Sequence, residues 1–590
     1  MTDSAADLRR WLADLETAGL LQHAIAPDLR YQFSHALIRD AAYQSLVRRL
    51  RHAIHLAAAQ ALEAEAEGAA PVAEAAELAP LLARHYDEAG DGAHALGYYA
   101  QAGEAAAQRF ANAEALAHLS RALELARQHP PDADTLARLF SRRGRCLEPL
   151  ARAPEALEDY AALETAGRAH NAPALVLAGL VGRAVLHATP STVFDRDRAL
   201  PLAEEALALA RRLNDQPAEA RILWALMLAF AYGSGDSGRA VVYGEQSLAL
   251  ARALNLREHL PYTLSDLGFT YSFVGRLGDC LALLEESRGL WRELNNLPML
   301  VNNLFFSSLP NMLRGELGAA LALLREAEAV SAATENAWGR LASLTLAGMV
   351  YLEQGAYPAA LEAHAASLAL AEGTGLGSQS AIARSNLGWT YAVLGAPEAG
   401  RAQCRLAVRD GQDLPPGFRA LPQGQLGLAE LGCGNVRGAA LAIEAGLSGL
   451  NPENLATPGP VLLRLAHAEL ALAQANPAEA LARAEALLAF QREAGVRLYA
   501  SDALRVAARA RLALGQPEAA EAMLREAQAQ AAAIGSRRAH WLLLEDLAAA
   551  LEAQGRAAEA QPVRAEAAAA RAQAAAALAA AAPSTRASVM

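Results

Sequence analysis

Leu387-Gly-Trp-Thr-Tyr-Ala-Val-Leu-Gly-Ala-Pro-Glu-Ala-Gly400 is the stretch whose reading decides the fold. Gly395 supplies a bend, with Gly388 seven residues before it and Gly400 five after, so two residues without side chains stand twelve apart across one turn. Two helices joined there touch where side chains are smallest. Working outward, the arrangement returns every 40 residues, with turn residues at Gly235, Gly275, Gly315, Gly355, Gly395, Asn435, Ala475, Gly515 and Gly555. Small residues follow five later at Ala240, Cys280, Ala320, Ala360, Gly400, Ala440, Ala480, Ala520 and Ala560, and precede by seven at Gly268, Ser308, Gly348, Gly388, Ala468, Ala508 and Ala548. Proline just past the turn, as at Pro358, Pro397, Pro477 and Pro517, suits a first helical turn, where its missing N–H is not needed. Glu398 and Glu518 beside it sit well on the helix dipole. Each hairpin buries one apolar stripe on its own partner helix and another on the next unit, so the expected architecture is a solenoid.

The pattern resembles the tetratricopeptide repeat (TPR), whose unit is about 34 residues with small residues flanking the turn. The positions that carry the resemblance are Trp224, Leu267 with Gly268 and Tyr271, Tyr351, and Leu387 with Gly388 and Tyr391. A period of 40 departs from that unit and also fits HEAT-type repeats. The small pair straddling the turn favours TPR. The fold class expected is all-α, a TPR-like right-handed helical-hairpin solenoid with a small N-terminal winged-helix-like segment.

That segment comes first in the chain. A helix from Asp7 to Ala18 carries Leu8, Trp11, Leu12 and Leu15 on one face. Gly19 stops it. Short extended pieces follow around Leu20–Ile25 and Arg30–Phe33, with a bend at Ala26, Pro27 and Asp28, and then a long helix from His35 onward. Tyr31-Gln-Phe-Ser-His-Ala-Leu-Ile-Arg-Asp-Ala-Ala-Tyr43, with Arg51 and His55, resembles a segment of the large bacterial signalling ATPases of the STAND type, regulators and cyclase-linked members. Leu82-Ala-Arg-His-Tyr86, Ala89-Gly90, Tyr99, Ala102-Gly103-Glu104 and Glu114-Ala115 extend the likeness over roughly residues 1–130. In such relatives the nucleotide-binding module lies upstream, so the resemblance implies either a piece of a longer regulator, or a start inside a longer reading frame, or a free-standing module without its engine.

The organisation expected is a winged-helix-like segment at 1–62, a helical connector at 63–95, worn TPR-like repeats at 96–234, regular 40-residue repeats at 235–570 and an alanine-rich disordered tail at 571–590. Gly68 and Pro71, then Gly90 to Gly92, break helices in the connector, and an insertion around His187–Asp197 interrupts the register of the worn repeats.

Composition removes much chemistry. All 52 basic residues are arginine, and without lysine there is no P-loop, no pyridoxal Schiff base and no kinase strand lysine. Cys146, Cys280, Cys404 and Cys433 show neither CxxC nor histidine pairing. HExxH, GxSxG and glycine-rich phosphate loops are absent. No catalytic residue, cofactor or metal is expected. A net charge of −12 argues against nucleic acid, and the cluster Arg48, Arg49, Arg51 and His52 is balanced by its surroundings, with seven arginines against six acidic residues up to residue 62. His35, His52 and His55 lack the partners a metal needs. No apolar run is long enough to span a bilayer, so the compartment expected is cytoplasmic, with no membrane contact.

Function then falls to the wall formed by the first helix of each hairpin. Its expected groove residues are Tyr262, Phe269, Phe273, Phe305, Met312, Met349 and Trp389, which would take a protein or peptide ligand. Apolar residues at helical spacing also serve as core. Asn302, Asn303, Arg384 and Asn386 are candidate backbone-holding neighbours, and Asp502, Arg505 and Arg509 a second, charged sub-site. The reading is a non-enzymatic protein–protein interaction scaffold, the sensor or partner-binding solenoid of a signalling or transcription regulator. The alternative is the C-terminal portion of an ATP-dependent STAND-type regulator whose nucleotide-binding domain lies upstream.

Overall fold

A computed structural model describes residues 5–580 apart from 24–30, 70–71, 110, 148–149, 151, 235, 376, 413, 415, 449 and 451–456. Among the described residues it contains twenty-eight α-helices and a single two-stranded sheet. The chain is all-α, a TPR-like helical-hairpin solenoid. It divides into two compact units, Met1–Gly182 and Arg183–Met590.

In the first unit the helix Ala5–Thr17 leads into antiparallel strands Leu21–His23 and Tyr31–Phe33, with Leu21 opposite Phe33. The expected bend at Ala26–Asp28 lies outside the described residues. The long helix expected from His35 is two helices, Ala36–Ser45 and Arg48–Ala69, because Leu46 adopts an extended backbone (ψ 135°). Gly68 therefore continues the second of these helices, and Pro71 lies outside the described residues. Gly90 turns left-handed (φ 82°) and Asp91 caps the next helix by accepting from the His94 amide at 3.2 Å. His55 lies between Tyr43 and His85, 2.9 Å and 2.8 Å from them. The worn repeats start second helices at Asn112 and Ala153, burying Ala115 and Ala156 as the echoed motifs require.

The second unit holds the regular array. Helix Gly377–Val393 crosses Pro397–Asp410 at the quoted motif, where a Cβ on Gly388 would stand 2.8 Å from the Gly400 carbonyl oxygen and one on Gly400 2.6 Å from that of Gly388. Backbone meets backbone there. Seven of the expected bends have the left-handed conformation that ends a helix and starts the next: Gly275, Gly315, Gly355, Gly395, Ala475, Gly515 and Gly555. Gly235 lies outside the described residues.

The eighth needs correction. Gly434 (φ 72°), not Asn435, makes the bend, and Asn435 caps the following helix by accepting from the Gly438 amide at 3.1 Å. The register slips by one residue, so the buried small residue is Ala439 instead of Ala440. The slip also restores a missing member: Gly427, seven before Gly434, faces Ile443, whose Cγ1 would lie 2.6 Å from a Cβ. A second periodic series went unread. The joints between hairpins also turn left-handed, at Asn255, Asn295, Glu335, Gly375, Gly495 and Gly535.

The array coils until it meets itself. The Leu313 carbonyl accepts from the amides of Arg497 (2.8 Å) and Leu498 (3.0 Å), and one repeat on the Glu353 carbonyl accepts from Arg537 (2.6 Å) and Arg538 (3.2 Å). The partners in each contact are between four and five repeats apart. The terminal helix Ala557–Ala580 joins this contact, burying Ala574 in a cluster with Leu361, Leu368 and Leu387, with Leu578 packed against it. Residues 571–580, expected as disordered tail, are therefore helical, and 581–590 lie outside the described residues.

Candidate protein-interaction surface

Residues 262, 266, 269 and 273 follow at i, i+4, i+7 and i+11 and so share one face of helix Leu260–Phe273. Tyr262, Asp266 and Phe273 on that face are half-buried, while Phe269 is 4% exposed. Phe269 stacks on Phe306 at 4.1 Å and meets Phe273 edge-on at 5.0 Å. Phe306 leads to Phe305 (6.0 Å), Phe305 to Trp338 (5.8 Å), and Phe273 back to Tyr232 (6.5 Å). These six rings come from consecutive hairpins. They form one aromatic strip in which Tyr232, Phe273, Phe305 and Trp338 keep solvent access.

The structure divides the seven expected groove residues. Tyr262, Phe269, Phe273 and Phe305 gather on or beside this strip. Met312 (0% exposed) and Met349 (8%) are core, sharing a cluster with Val496, Leu498, Tyr499 and Leu504 from beyond the superhelical contact. Trp389 and Phe305 are both half-exposed and both pack against the same cluster, Trp389 with the Arg538 guanidinium 6.0 Å from its ring centroid. The coil fills the middle of the wall with its own later repeats.

The polar neighbours are likewise engaged. Asn303 donates to the Leu284 carbonyl (3.0 Å) and Ser265 (3.2 Å), Asn386 accepts from Gln425 (2.8 Å), and Arg384 binds Glu372 and Gln403. Asn302 keeps partial exposure. Of the expected charged sub-site, Asp502 pairs with Arg538 at 2.5 Å, Arg505 with Glu469 (2.6 Å) and Asp546 (3.1 Å), and Arg509 with Glu469 (2.6 Å). These charges hold hairpins together. Glu286 reaches Arg252 of the neighbouring hairpin at 2.5 Å on the exposed surface.

One residue of the strip escaped the sequence reading. Asp266 accepts from the Trp224 indole Nε1–H at 2.8 Å, and burial pushes its carboxyl up to about 7 despite that hydrogen bond. Around it stand Trp224, whose ring lies 6.0 Å from Tyr262 and 5.6 Å from His259, and Tyr232, whose hydroxyl burial and the Asp266 charge hold above its ordinary pKa. No ion pair reaches Asp266 among the described residues. The signal lay in the 40-residue column 266, 306, 346, 386, which reads Asp, Phe, Leu, Asn.

For chemistry the described residues offer little. No group of three potential metal ligands converges. Burial pushes the Cys280 and Cys404 thiols up to about 12, far from a nucleophilic thiolate. It pushes His364, wedged against Gly348, down to about 3. A recess lined by Val408, Gly411, Gln412, Arg419, Pro422 and Gln423 holds one charge and no acid–base pair. No helix among the described residues is long and apolar enough to cross a membrane.

No family model matches the chain, and no curated protein does. Solved structures do. An APC/C hetero-tetramer is 16% identical, with 83% of this chain and 91% of that chain covered at a TM-score of 0.47. A Rap protein complexed with competence and sporulation factor is 12% identical, over 74% and 98%, at 0.40. A STAND protein with a tetratricopeptide repeat sensor from Pyrococcus horikoshii is 14% identical, over 63% of this chain and 60% of that one, at 0.38.

Proposed function

We propose that this chain is a non-enzymatic scaffold that holds a protein or peptide partner along the aromatic strip of its second unit. One observation carries the reading: Tyr232, Tyr262, Phe273, Phe305 and Trp338, on consecutive hairpins, are half-exposed, whereas the equivalent wall at Leu313, Leu346 and Met349 is buried by the chain's own later repeats. Aromatic side chains left partly in water along a continuous strip are what a partner's helix or extended segment desolvates on binding. The finer reading, a cytoplasmic sensor module of a signalling or transcription regulator of the STAND type with a winged-helix-like start, rests on the strings from Tyr31 to Tyr43 and from Leu82 to Ala115. A Walker-motif segment encoded upstream of Met1 checks it.

The scaffold reading is tested by selecting displayed random peptides on the full chain and on a Phe273→Glu/Phe305→Glu variant whose circular dichroism and melting match wild type. Peptides retained by wild type and lost by the variant support it. Equal retention by both overturns it.

A further inference from the structure

The chain repeatedly builds one three-part unit from a carboxylate, an aromatic face and an arginine. Glu245 accepts from Tyr271 (2.8 Å) and Arg276 (2.9 Å), with the Arg276 guanidinium 3.9 Å from the Tyr271 centroid. Glu353 and Asp502 bind Arg538 over Tyr499 at 5.1 Å. Glu545 lies 3.5 Å from Arg571, whose guanidinium is 5.3 Å from the Trp541 ring. In each case the cation gains both a counter-charge and a π face.

At Asp266 two of the three parts are assembled. The carboxylate accepts from the Trp224 indole, whose ring lies 6.0 Å from Tyr262, on the half-exposed face it shares with Tyr262 and Phe273, and no guanidinium of the described residues reaches it. We infer that the third part comes from the partner: Asp266, Trp224 and Tyr262 form the subsite for a cationic side chain, a guanidinium before an alkylammonium, projecting from the helix or peptide that lies on the strip. This rests on the scaffold reading. Arginine is favoured because its planar group can stack on an indole while its edge bonds a carboxylate, which a compact ammonium does not do. An acidic chain draws such a partner in. Asp266 supplies the specificity and the aromatic strip the area.

The probe is a fluorescein-labelled amphipathic helix of leucine and arginine, with a leucine–lysine and a leucine–glutamate counterpart, titrated at about 0.15 M salt, where exposed charges beyond about 8 Å are screened. The targets are the full chain and its Asp266→Asn, Asp266→Glu and Phe273→Glu/Phe305→Glu variants. Asp266→Asn keeps an acceptor for the Trp224 indole, so the fold is retained. The arginine peptide is expected to bind wild type, to bind Asp266→Asn at least tenfold more weakly and to recover with Asp266→Glu, with lysine weaker and glutamate not retained. Equal affinity for wild type and Asp266→Asn overturns the subsite, as does a glutamate peptide that binds as tightly. Loss with Phe273→Glu/Phe305→Glu but none with Asp266→Asn leaves the scaffold reading standing alone. No binding by any peptide to wild type overturns both.

Discussion

Arg538 and Glu353, 185 residues apart in sequence, form an ion pair at 2.6 Å with both side chains only 4% exposed. Ser536 donates to the same carboxylate at 2.8 Å, and Asp502 takes the other edge of the guanidinium. Burial lifts the Glu353 carboxyl above its ordinary range and Arg538 draws it back only in part. Tyr499 beneath the guanidinium is itself held left-handed (φ 62°). The pair joins one turn of the coil to the next, where the hairpins from 297 to 353 meet those from 497 to 540.

Removing Arg538 strands two carboxylates in the interior. Arg538→Met is expected to cost about 3–5 kcal/mol near neutral pH. With the cation gone, burial alone holds the Glu353 carboxyl above its unfolded value, so the penalty is absent below that unfolded value and grows as pH rises. Thermal unfolding at pH 5 and pH 8 checks it. The gap from wild type is wider at pH 8, and hydrogen exchange accelerates first over 496–504 and 536–540. A uniform gap across pH would remove the stranded-charge account.

Ala475 bends left-handed (φ 57°) at a joint where most of its counterparts are glycine. A Cβ in that conformation costs roughly 1–2 kcal/mol, partly recovered by the stiffer unfolded chain. Ala475→Gly is therefore expected to stabilise the second unit by about 0.5–1 kcal/mol, read as a rise in denaturant midpoint without a change in slope. A lower midpoint would show that the joint is not under strain.

The helix crossing at Gly388 and Gly400 makes an opposite prediction for a glycine. A methyl on Gly388 meets the Gly400 carbonyl and the Cys404 sulfur, both 2.8 Å from its Cβ. Because one of these is backbone, relief requires the helices to separate, and Gly388→Ala is expected to cost about 1–3 kcal/mol. Gly289 lies inside helix Leu277–Glu293 with open space where a Cβ would go. Gly289→Ala should instead stabilise by about 0.5–1 kcal/mol. Chemical denaturation of the two variants side by side separates packing from helix propensity.

The repeat unit was legible because each hairpin is built from local requirements: a left-handed bend, small residues at the crossing and a cap. Position 435 was misread because asparagine tolerates the left-handed conformation almost as glycine does, so Gly434 and Asn435 could each take the bend. Gly427 was the residue that decided it. The coil contact was not legible. The number of repeats per superhelical turn depends on small rotations between hairpins that no single position encodes, so Met312 and Met349 looked like wall when they are core. Glu353 was the available sign, a carboxylate in the column of Phe273, Leu313 and Val393. Asp266 gave the same sign in its own column. A charge in an apolar column marks a place where the chain needs either a distant partner of its own or another molecule's.

Asp266 has no partner of opposite charge among the described residues, and this sets its pH behaviour. Its carboxyl is raised to about 7 by burial, against about 3.9 in an unfolded chain. Between those values the unfolded state gives up a proton that the folded state keeps. Stability is therefore full below about pH 4, falls as pH rises and levels off above pH 7. Tyr232 beside the site leaves this sign unchanged, because burial and the Asp266 charge hold its hydroxyl protonated through the window. Asp266→Asn has no proton to lose, so its stability should be nearest to wild type at pH 4 and the gap should widen as pH rises, by on the order of 1–4 kcal/mol at pH 8. Melting curves of both proteins across pH 4–8 test this. Parallel curves would mean that the carboxyl is solvated after all, and a subsite built on its desolvation would lose its footing.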